Sequence, residues 1–367
     1  MKAPTLTQAR TRLFHSPAYR KNGFLAAITG AIRYKINSIM IETSLYALPH
    51  GITLSCRSAG EKGQPVLVFL HGFPEAAFVW DGLLAHFSKP ENGGYRCIAP
   101  NLRGFECSSA PTDVAAYRPK HLVQDIAALI ALEGGQPQRW AAPSKAGPLG
   151  GQRLTRSDER GGPQVDCLIA HDWGGAVAWN LAASQPSLIK RLAIINSPHP
   201  GTFLRALQHS PAQQAASAYM NFLIRPDAET LLAADDFRRL WAFFTDLAAG
   251  VSAKAWLTDA VKAQYRDVWQ RGLSGPLNYY RASPLRPPGP HDPAAAAVSI
   301  PRALLEVHLP TLVIWGMKDT ALPPTLLDGL SDYVPDMQLQ CVEDASHWIV
   351  HEQPALVTAY LQKFLAG

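Results

Sequence analysis

The sequence lacks the features of a membrane protein and those of an unfolded chain. No stretch of its 367 residues reaches the roughly 18 uncharged apolar residues that a spanning helix needs. Only 17% of the residues are charged, whereas 47% are apolar. This balance excludes a transmembrane protein and a wholly disordered one, and it supplies enough apolar surface for a full hydrophobic core.

Acidic side chains are missing from the first 41 residues, which carry seven Lys or Arg. The rest of the chain holds 27 basic and 29 acidic residues, so the net charge of +5 comes from this N-terminal part. A nucleic-acid-binding groove is therefore not indicated. Gly23–Ile32 is apolar but shows no clear cleavage site, so a basic N-terminal extension, residues 1–41, is favoured over a targeting peptide.

Cysteine is scarce, and its five occurrences include no CxxC spacing. Cys97, Cys167 and Cys341 lie inside apolar, strand-like runs. Buried, reduced thiols in a cytoplasmic protein are the simplest interpretation. The chain also lacks a phosphate-binding loop, a dinucleotide fingerprint and a cysteine-based metal motif, so no cofactor is expected.

From Ile41 onward, short apolar runs alternate with helical patterns. The predicted strands are Ile52–Arg57, Val66–Leu70, Arg96–Ala99, Val165–Ala170, Leu192–Asn196, Leu312–Trp315 and Leu339–Val342. The predicted helices are Ala76–Phe87, Pro119–Leu132, Trp173–Ser184, Pro323–Leu330 and Ile349–Phe364. Several strands are apolar on both faces, as in a parallel sheet that helices cover on both sides. The pattern predicts an α/β fold with a mostly parallel, doubly wound sheet.

Two segments interrupt this alternation. Gly134–Pro163 is rich in Gly, Arg and Pro, and it is typical of a flexible surface insertion. Ser197–Val307 has amphipathic helical stretches, such as Ala233–Leu247 and Trp256–Trp269, and predicts a helical cap over the sheet edge where ligands bind. The predicted core consists of residues 42–196 and 308–367.

No GxSxG motif occurs, but an aspartate stands where a nucleophile would be expected. Ala170-His171-Asp172-Trp173-Gly174-Gly175 follows an apolar strand and opens a helix. Small residues two positions before and after Asp172, namely Ala170 and Gly174, permit the tight turn of a nucleophile elbow. The alternative is an aspartate that only caps the helix.

A second motif, His71-Gly72-Phe73-Pro74-Glu75, follows the strand VLVFL. A turn at this strand end could direct backbone N–H groups toward Asp172. The backbone N–H groups of Phe73 and Trp173 are the predicted oxyanion hole, and Pro74 is a candidate for a cis peptide bond. The alternative is an ordinary turn with an exposed histidine.

Two more motifs place polar groups at strand ends: Trp315-Gly316-Met317-Lys318-Asp319 and Ala345-Ser346-His347-Trp348. The chain order Asp172, Asp319, His347 is the nucleophile–acid–base order of the α/β-hydrolase fold.

The neighbours of His347 offer alternatives to these assignments. Glu343 and Asp344 compete with Asp319 as the acid that orients His347, although their position before the loop makes them weaker candidates. His347 and His351 have the i, i+4 spacing of a metal site, but no third ligand has supporting spacing. No metal site is therefore predicted, and His351 is interpreted as a surface residue.

HGFPE, HDWGG, WGMKDTAL and ASHWIVHEQP, in this order and spacing, resemble the epoxide hydrolase branch of the α/β-hydrolases. The resemblance covers Ile41–Gly367 apart from the Gly134–Pro163 insertion. It implies a cofactor-free hydrolase that converts an epoxide to a vicinal diol through an ester on Asp172. His347, oriented by Asp319, would then activate water against that ester.

The resemblance also implies two cap tyrosines that protonate the opening epoxide oxygen. Tyr219, in AYMNFLIRP, and Tyr280, in LNYYRAS, fall at the matching positions. A phenol is acidic enough to donate a proton to an alkoxide. The alternative is that both rings only pack, as is expected of the neighbouring Tyr279.

Haloalkane and haloacetate dehalogenases share the aspartate nucleophile and are the nearest alternative. Haloalkane dehalogenases place Asn where this chain has Phe73, which offers no side-chain donor to a halide. Trp173 is compatible with both haloalkane dehalogenases and epoxide hydrolases. Haloacetate dehalogenases have arginines after the nucleophile, where this chain has Trp173, Ala176 and Val177. An alternative of another class is a non-catalytic relative that binds a ligand or a partner.

Aromatic side chains are expected to line the pocket. Phe73, Trp173 and Trp348 adjoin the predicted catalytic groups in sequence. An apolar wall of this kind favours a small hydrophobic epoxide as the substrate over a sugar or a phosphate.

Overall fold

One nine-stranded sheet runs through the described part of the chain. The computed structural model describes residues 32–36, 39–134, 164–246, 255–289 and 293–367. The strands are β1 (Ile32–Ile36), β2 (Ile39–Ala47), β3 (Thr53–Ala59), β4 (Val66–Leu70), β5 (Arg96–Pro100), β6 (Cys167–His171), β7 (Leu192–Ile195), β8 (Thr311–Gly316) and β9 (Met337–Val342). Their order in the sheet is β1-β2-β3-β5-β4-β6-β7-β8-β9.

Most neighbouring strands are parallel, which confirms the predicted α/β fold. The pairs from β5 through β4, β6, β7 and β8 to β9 are parallel, whereas β3 is antiparallel to both β2 and β5. In this register Leu70 pairs with Ala170, and His171 pairs with Ile195. The carboxyl ends of the central strands therefore lie at one edge, where ligands bind in such sheets.

Helices cover both faces of the sheet. They are α1 (Asp81–Phe87), α2 (Pro119–Glu133), α3 (Trp173–Ser184), α4 (Pro200–His209), α5 (Pro211–Ala216), α6 (Tyr219–Leu223), α7 (Ala228–Asp246), α8 (Asp259–Trp269), α9 (Ser274–Ala282), α10 (Ile349–Glu352) and α11 (Pro354–Ala366). Alternate residues of β4 enter different hydrophobic clusters: Val68 and Leu70 join one, and Leu67 and Phe69 the other. The central strands are apolar on both faces because each face is covered.

The elements α4 to α9 lie between β7 and β8, in the segment predicted to form the cap. Helix α7 is interrupted, because Asp235, Asp236 and Phe237 have positive φ angles. The prediction of a helix over Ala233–Leu247 is therefore wrong at this point.

The structure differs from the predicted start of the core. Strand β1 and the first residues of β2 fall inside the predicted extension 1–41, and Arg33–Gly367 form one compact unit. Strand β2 was missed because its burial is only partial and its sequence, IMIETSLYA, mixes polar and apolar residues. Residues 1–31 and 135–163, which hold the rest of the extension and nearly all of the predicted insertion, lie outside the described residues.

Three further details depart from the sequence interpretation. Pro323–Leu330 was expected to be a helix but holds the short 3-10 turn Pro324–Leu327 and the start of another, Leu330–Asp332. The predicted helix Ile349–Phe364 is divided before Pro354, whose ring cannot continue a helix. All five cysteines are free thiols, but Cys341, expected to be buried, is exposed on β9.

Among the described residues, no helix is both long enough and apolar enough to cross a bilayer.

Candidate active site

Asp172 occupies a sharp bend between β6 and α3. Its φ of 50° and ψ of −123° are unusual for a residue with a side chain, at a cost of about 1–3 kcal/mol. Its carboxylate makes no capping hydrogen bond to α3, so the helix-cap alternative is wrong. The Ser197 hydroxyl donates to the Asp172 carbonyl at 2.6 Å and helps to hold the bend.

Two glycines allow the backbone to come this close. A Cβ atom on Gly174 would lie 2.5 Å from the Leu70 carbonyl oxygen and 2.6 Å from that of His71. A Cβ atom on Gly72 would lie 2.2 Å from Oδ1 of Asp172. Both positions therefore require glycine if the loops after β4 and β6 are to meet around the carboxylate.

One predicted oxyanion donor already contacts the carboxylate. The Phe73 backbone N–H donates to Oδ1 of Asp172 at 2.7 Å. The Phe73–Pro74 bond is cis, as the sequence suggested. Trp173 is the first residue of α3, so its N–H belongs to the helix start, where backbone donors lack intrahelical acceptors.

His347 lies between the two aspartates. Its Nε2 is 3.7 Å from Oδ2 of Asp172, and its Nδ1 is 2.7 Å from Oδ2 of Asp319. The His347 and Asp319 side chains are buried, while that of Asp172 is 13% exposed. The structure thus brings together the three residues that the sequence order singled out.

Asp319 is held by several donors. The backbone N–H groups of Ala321 and Leu322 donate to its Oδ1 at 3.0 and 2.8 Å, and the Asn196 amide donates to Oδ2 at 2.9 Å. The sequence interpretation missed Asn196, which has a positive φ of 38° at the end of β7. The sequence signal that could have identified Asn196 was its position at the carboxyl end of a predicted strand.

The charges around His347 change its acidity. Burial alone would lower the pKa of His347, but the adjacent Asp319 and Asp172 carboxylates outweigh burial and raise it to about 9. In the free enzyme the imidazole is therefore protonated at neutral pH. It can act as a base only when the negative charge around it falls or the pH rises.

The other candidates near His347 have different partners. Asp344 pairs with Lys318 at 2.8 Å on the surface, so Asp319 is the carboxylate that contacts His347. His351 is not a surface residue, because its side chain is only 12% exposed and its ring stacks on Trp256 at 4.2 Å.

A buried carboxylate, Glu75, connects the base loop to the cap. Glu75 accepts hydrogen bonds from the Tyr265 hydroxyl at 2.8 Å and from the rings of His351 at 2.5 Å and His171 at 3.2 Å. The other ring nitrogen of His171 lies 2.9 Å from the His347 carbonyl oxygen. Burial would raise the pKa of Glu75, but the neighbouring His351 and His171 hold it well below its usual range. Glu75 therefore braces the backbone that carries His347.

His71 braces the loop after β4 and is fully buried, so the alternative of an exposed histidine at this turn is wrong. Its Nδ1 faces the Gly72 carbonyl at 2.9 Å, and its Nε2 accepts from the Leu102 N–H at 3.0 Å. Complete burial lowers the pKa of His71 to about 4, so the ring is neutral. A neutral imidazole has one nitrogen that donates and one that accepts, which matches the two contacts of His71.

Tyr219 and Tyr280 lie on cap helices α6 and α9 and face the same cavity as Asp172. The ring centroid of Tyr280 is 5.0 Å from that of Trp173 and 6.2 Å from that of Tyr219. Burial, followed by the charge of Asp172, raises the pKa of Tyr219, and burial, followed by Tyr219 and Asp172, raises that of Tyr280. Both phenols therefore stay protonated and can donate.

Tyr279 has a packing role. Its hydroxyl donates to the Arg103 carbonyl at 2.9 Å, and its ring contacts Phe105 at 5.4 Å. It is therefore directed away from the carboxylate, as the sequence suggested for the neighbour of Tyr280.

A cavity of about 140 Å³ opens at Asp172, between α3 and the cap. Its lining includes the side chains of Asp172, Trp173, Tyr219 and Tyr280. Within the described residues this lining is mostly apolar, which agrees with the expectation for Trp173.

Phe73 and Trp348 differ from that expectation, because neither lines this cavity. The indole of Trp348 donates to the Phe243 carbonyl at 3.1 Å, and its ring packs on Phe244 at 4.6 Å. The ring of Phe73 packs edge-to-face on Tyr280 at 5.3 Å. Adjacency to catalytic positions in sequence did not reveal which way these rings point.

Comparison with known proteins agrees with this arrangement. The profile of the alpha/beta hydrolase family matches residues 67–359. The chain is 33% identical over 321 residues to the AB hydrolase superfamily protein YfhM of Bacillus subtilis (strain 168), covering 86% of this chain and 95% of that protein. The chain belongs to the alpha/beta hydrolase family. The resemblance of the sequence motifs to the α/β-hydrolases is thereby confirmed.

Within the alpha/beta hydrolase family, the chain belongs to the epoxide hydrolase branch. It is 30% identical over 309 residues to Epoxide hydrolase 2 of Caenorhabditis elegans, covering 83% of this chain and 75% of that protein. A solved structure described as one of the novel epoxide hydrolases in metagenomes from hot environments is 33% identical, with a TM-score of 0.72. It aligns with 89% of this chain and 99% of its own. The chain is thus an enzyme of the hydrolase type.

Proposed function

We propose that the protein opens a small hydrophobic epoxide to a vicinal diol through a covalent ester on Asp172. One observation carries the proposal above all. The Asp172 carboxylate is held by Phe73 N–H at Oδ1, faces His347 with Oδ2, and shares a cavity with two protonated tyrosines. A nucleophile and two acids thus line one cavity, and the base lies beside the nucleophile.

In the first step, Oδ2 of Asp172 attacks an epoxide carbon, and the bond from that carbon to the epoxide oxygen breaks. A carboxylate needs no base for this attack, unlike a serine hydroxyl. The electron pair of the broken bond stays on the oxygen, which takes a proton from Tyr219 or Tyr280. An ester on Asp172 and a tyrosinate result.

In the second step, His347 removes a proton from water, and the hydroxide attacks Cγ of the ester. The oxyanion that forms is stabilised by the Phe73 and Trp173 N–H groups, each worth about 3 kcal/mol of barrier. The bond from Cγ to Oδ2 then breaks, and Oδ2 leaves as a hydroxyl of the diol with the second proton of the water. Asp172 keeps the oxygen from water, and the proton on His347 passes to the tyrosinate.

Two further points support the proposal. The relatives named above are described as epoxide hydrolases in two of three cases, and both cover most of this chain. Phe73, at the position where haloalkane dehalogenases carry a side-chain donor, has a hydrocarbon ring packed on Tyr280 and gives a halide nothing to bind. Five free thiols also support the cytoplasmic location expected from the sequence.

The direct test is a screen of aromatic and aliphatic epoxides beside the corresponding haloalkanes. Diol formation from at least one epoxide, lost in Asp172→Ala, is expected, with no halide release. Halide release without diol would support a dehalogenase instead. Binding of epoxides without turnover by the native protein would support a non-catalytic relative.

The acidity of His347 predicts how the second step depends on pH. Esterification removes the negative charge of Asp172, so the pKa of His347 in the ester should fall below its free-enzyme value of about 9. Since His347 must be neutral to act, ester hydrolysis should rise about tenfold per pH unit below this lower pKa and then level off. Single-turnover hydrolysis rates between pH 5 and pH 10 give the midpoint.

Asp319→Asn is the comparison variant for this pH profile. It removes the charge that raises the pKa of His347 most, so the midpoint should move to lower pH. A hydrolysis rate that falls as the pH rises, or a midpoint above 9 for the ester, would contradict the assignment of His347 as the base.

A further inference from the structure

The cavity at Asp172 extends along one face of helix α3. Trp173, Ala176, Val177 and Asn180 line it, and their i, i+3, i+4, i+7 spacing places them on the same side of the helix. Asn180 lies eight positions after Asp172, which at the helical rise of 1.5 Å per residue is a distance of ~12 Å. The lining of the cavity therefore reaches along the helix from the nucleophile to Asn180.

The walls along this length are hydrocarbon. Leu122 of α2, Phe203 of α4, Met220 of α6, and Leu285 and Ile300 of the segment after α9 line the cavity. In the part of the chain that the structure describes, no Lys, Arg or His side chain lines it. A substrate that carries a charged carboxylate would therefore lose its hydration without gaining a cation.

Asn180 provides a polar group on this path. Its side-chain N–H donates to the Ala176 carbonyl at 2.8 Å, which leaves one amide hydrogen and the acceptor oxygen for a ligand. The other non-aromatic hydroxyls of the lining are engaged by backbone groups: Ser197 donates to the nucleophile's carbonyl, and Ser283 accepts from the Leu285 N–H at 3.1 Å. Asn180 therefore keeps both a donor and an acceptor for a ligand, whereas the hydroxyl hydrogen of Ser197 is already used.

We propose that this cavity binds the substituent of the epoxide and selects a neutral, unbranched apolar chain that ends in a hydroxyl group hydrogen-bonded to Asn180. The inference rests on the proposed epoxide hydrolase function and adds the substrate class. With ~3 Å of the ~12 Å path taken by the hydrogen bond to Asn180, the rest corresponds to an extended chain of about eight carbon atoms.

A chain-length series on the native enzyme tests the apolar part. Terminal epoxides of the straight-chain alkanes from propane to dodecane should show kcat/KM rising by about threefold per added methylene group up to octane, because each methylene is removed from water. The rise should stop beyond octane. Equal kcat/KM from propane to dodecane would overturn the proposal.

Asn180→Leu tests the polar end. Two kcat/KM values are compared, one for the octane epoxide with a terminal hydroxyl and one for the plain octane epoxide. The ratio of the first to the second should fall about tenfold in this variant, because the hydroxyl loses its hydrogen-bond partner. The matched control is Asn221→Leu, the same change on exposed Asn221 of α6, outside the cavity lining. An equal ratio in the native enzyme and Asn180→Leu, or an equal fall in both variants, would overturn the role of Asn180.

A third substrate separates this inference from the function it rests on. The octane epoxide with a terminal carboxylate should be at least about tenfold poorer than the hydroxyl analogue, since burying its charge is unfavourable. A preference for the carboxylate would overturn the substrate class while leaving epoxide hydrolysis intact. Failure to form diol from any epoxide, including that of propane, would instead remove the proposed function.

Discussion

The His347→Gln variant should lose turnover by about 10³-fold and accumulate a covalent adduct on Asp172. The attack of Asp172 on the epoxide needs no base, so the first step continues. Hydrolysis of the ester needs a group that takes a proton from water, and glutamine cannot do so. Mass spectrometry of the intact protein after mixing with substrate should show an increase equal to one epoxide molecule.

The structure explains why the defect should be confined to the second step. Nε2 of His347 lies 3.7 Å from the Asp172 carboxylate, and its Nδ1 is fixed by Asp319 at 2.7 Å. The ring is therefore positioned beside the atom where the ester forms. Glutamine keeps a polar side chain of similar reach and leaves the Phe73 N–H contact to Asp172 undisturbed.

Two controls accompany the experiment. His209→Gln makes the same substitution at an exposed residue at the end of α4 and should leave turnover unchanged with no adduct. Peptide mapping should place the adduct on Asp172, and the variant Asp172→Ala with His347→Gln should gain no mass. An inactive His347→Gln protein without any adduct would mean that the two-step scheme is wrong.

Heavy-oxygen water provides a second test of the same scheme in the native enzyme. In one turnover with enzyme in excess, the oxygen from water should enter the Asp172 side chain, because hydroxide attacks Cγ. The first diol released should carry only unlabelled oxygen. Label found at once in the diol would mean that water attacks the epoxide directly.

The groups at the carboxyl ends of the strands could be predicted from the sequence for a physical reason. Strands β4, β6 and β8 are buried on both faces and appear as unbroken apolar runs. The residues that follow such runs must lie at one edge of a parallel sheet. This is why Asp172, Asp319 and Phe73 could be assigned to one place, although up to 246 positions separate them.

Other parts of the site depend on contacts that no local pattern encodes. The Tyr265 hydroxyl reaches Glu75 across 190 positions, and His351 reaches it across 276. The cap helices have apolar faces, but those faces do not specify which core loop they cover. Trp348 shows the same limit, since an aromatic residue beside a catalytic one can equally pack against the cap.

The variants Tyr219→Phe and Tyr280→Phe should each slow formation of the Asp172 ester by about 10²-fold, and the double variant by more. The opening epoxide leaves a negative charge on oxygen that must be protonated within an apolar cavity. Both phenols remain protonated because burial and the Asp172 charge raise the pKa of each. Phenylalanine keeps the ring and removes only the proton donor.

Single-turnover kinetics separate this role from packing. With enzyme in excess, the rate of ester formation should fall in both single variants, whereas hydrolysis of an ester already formed should change much less. Tyr279→Phe is the matched control, because the Tyr279 hydroxyl bonds to the Arg103 carbonyl and its loss should lower the free energy of unfolding but not the rate of ester formation. Unchanged ester formation in both cap variants would show that Tyr219 and Tyr280 only pack, and the acid in the first step would have to be another group in the cavity.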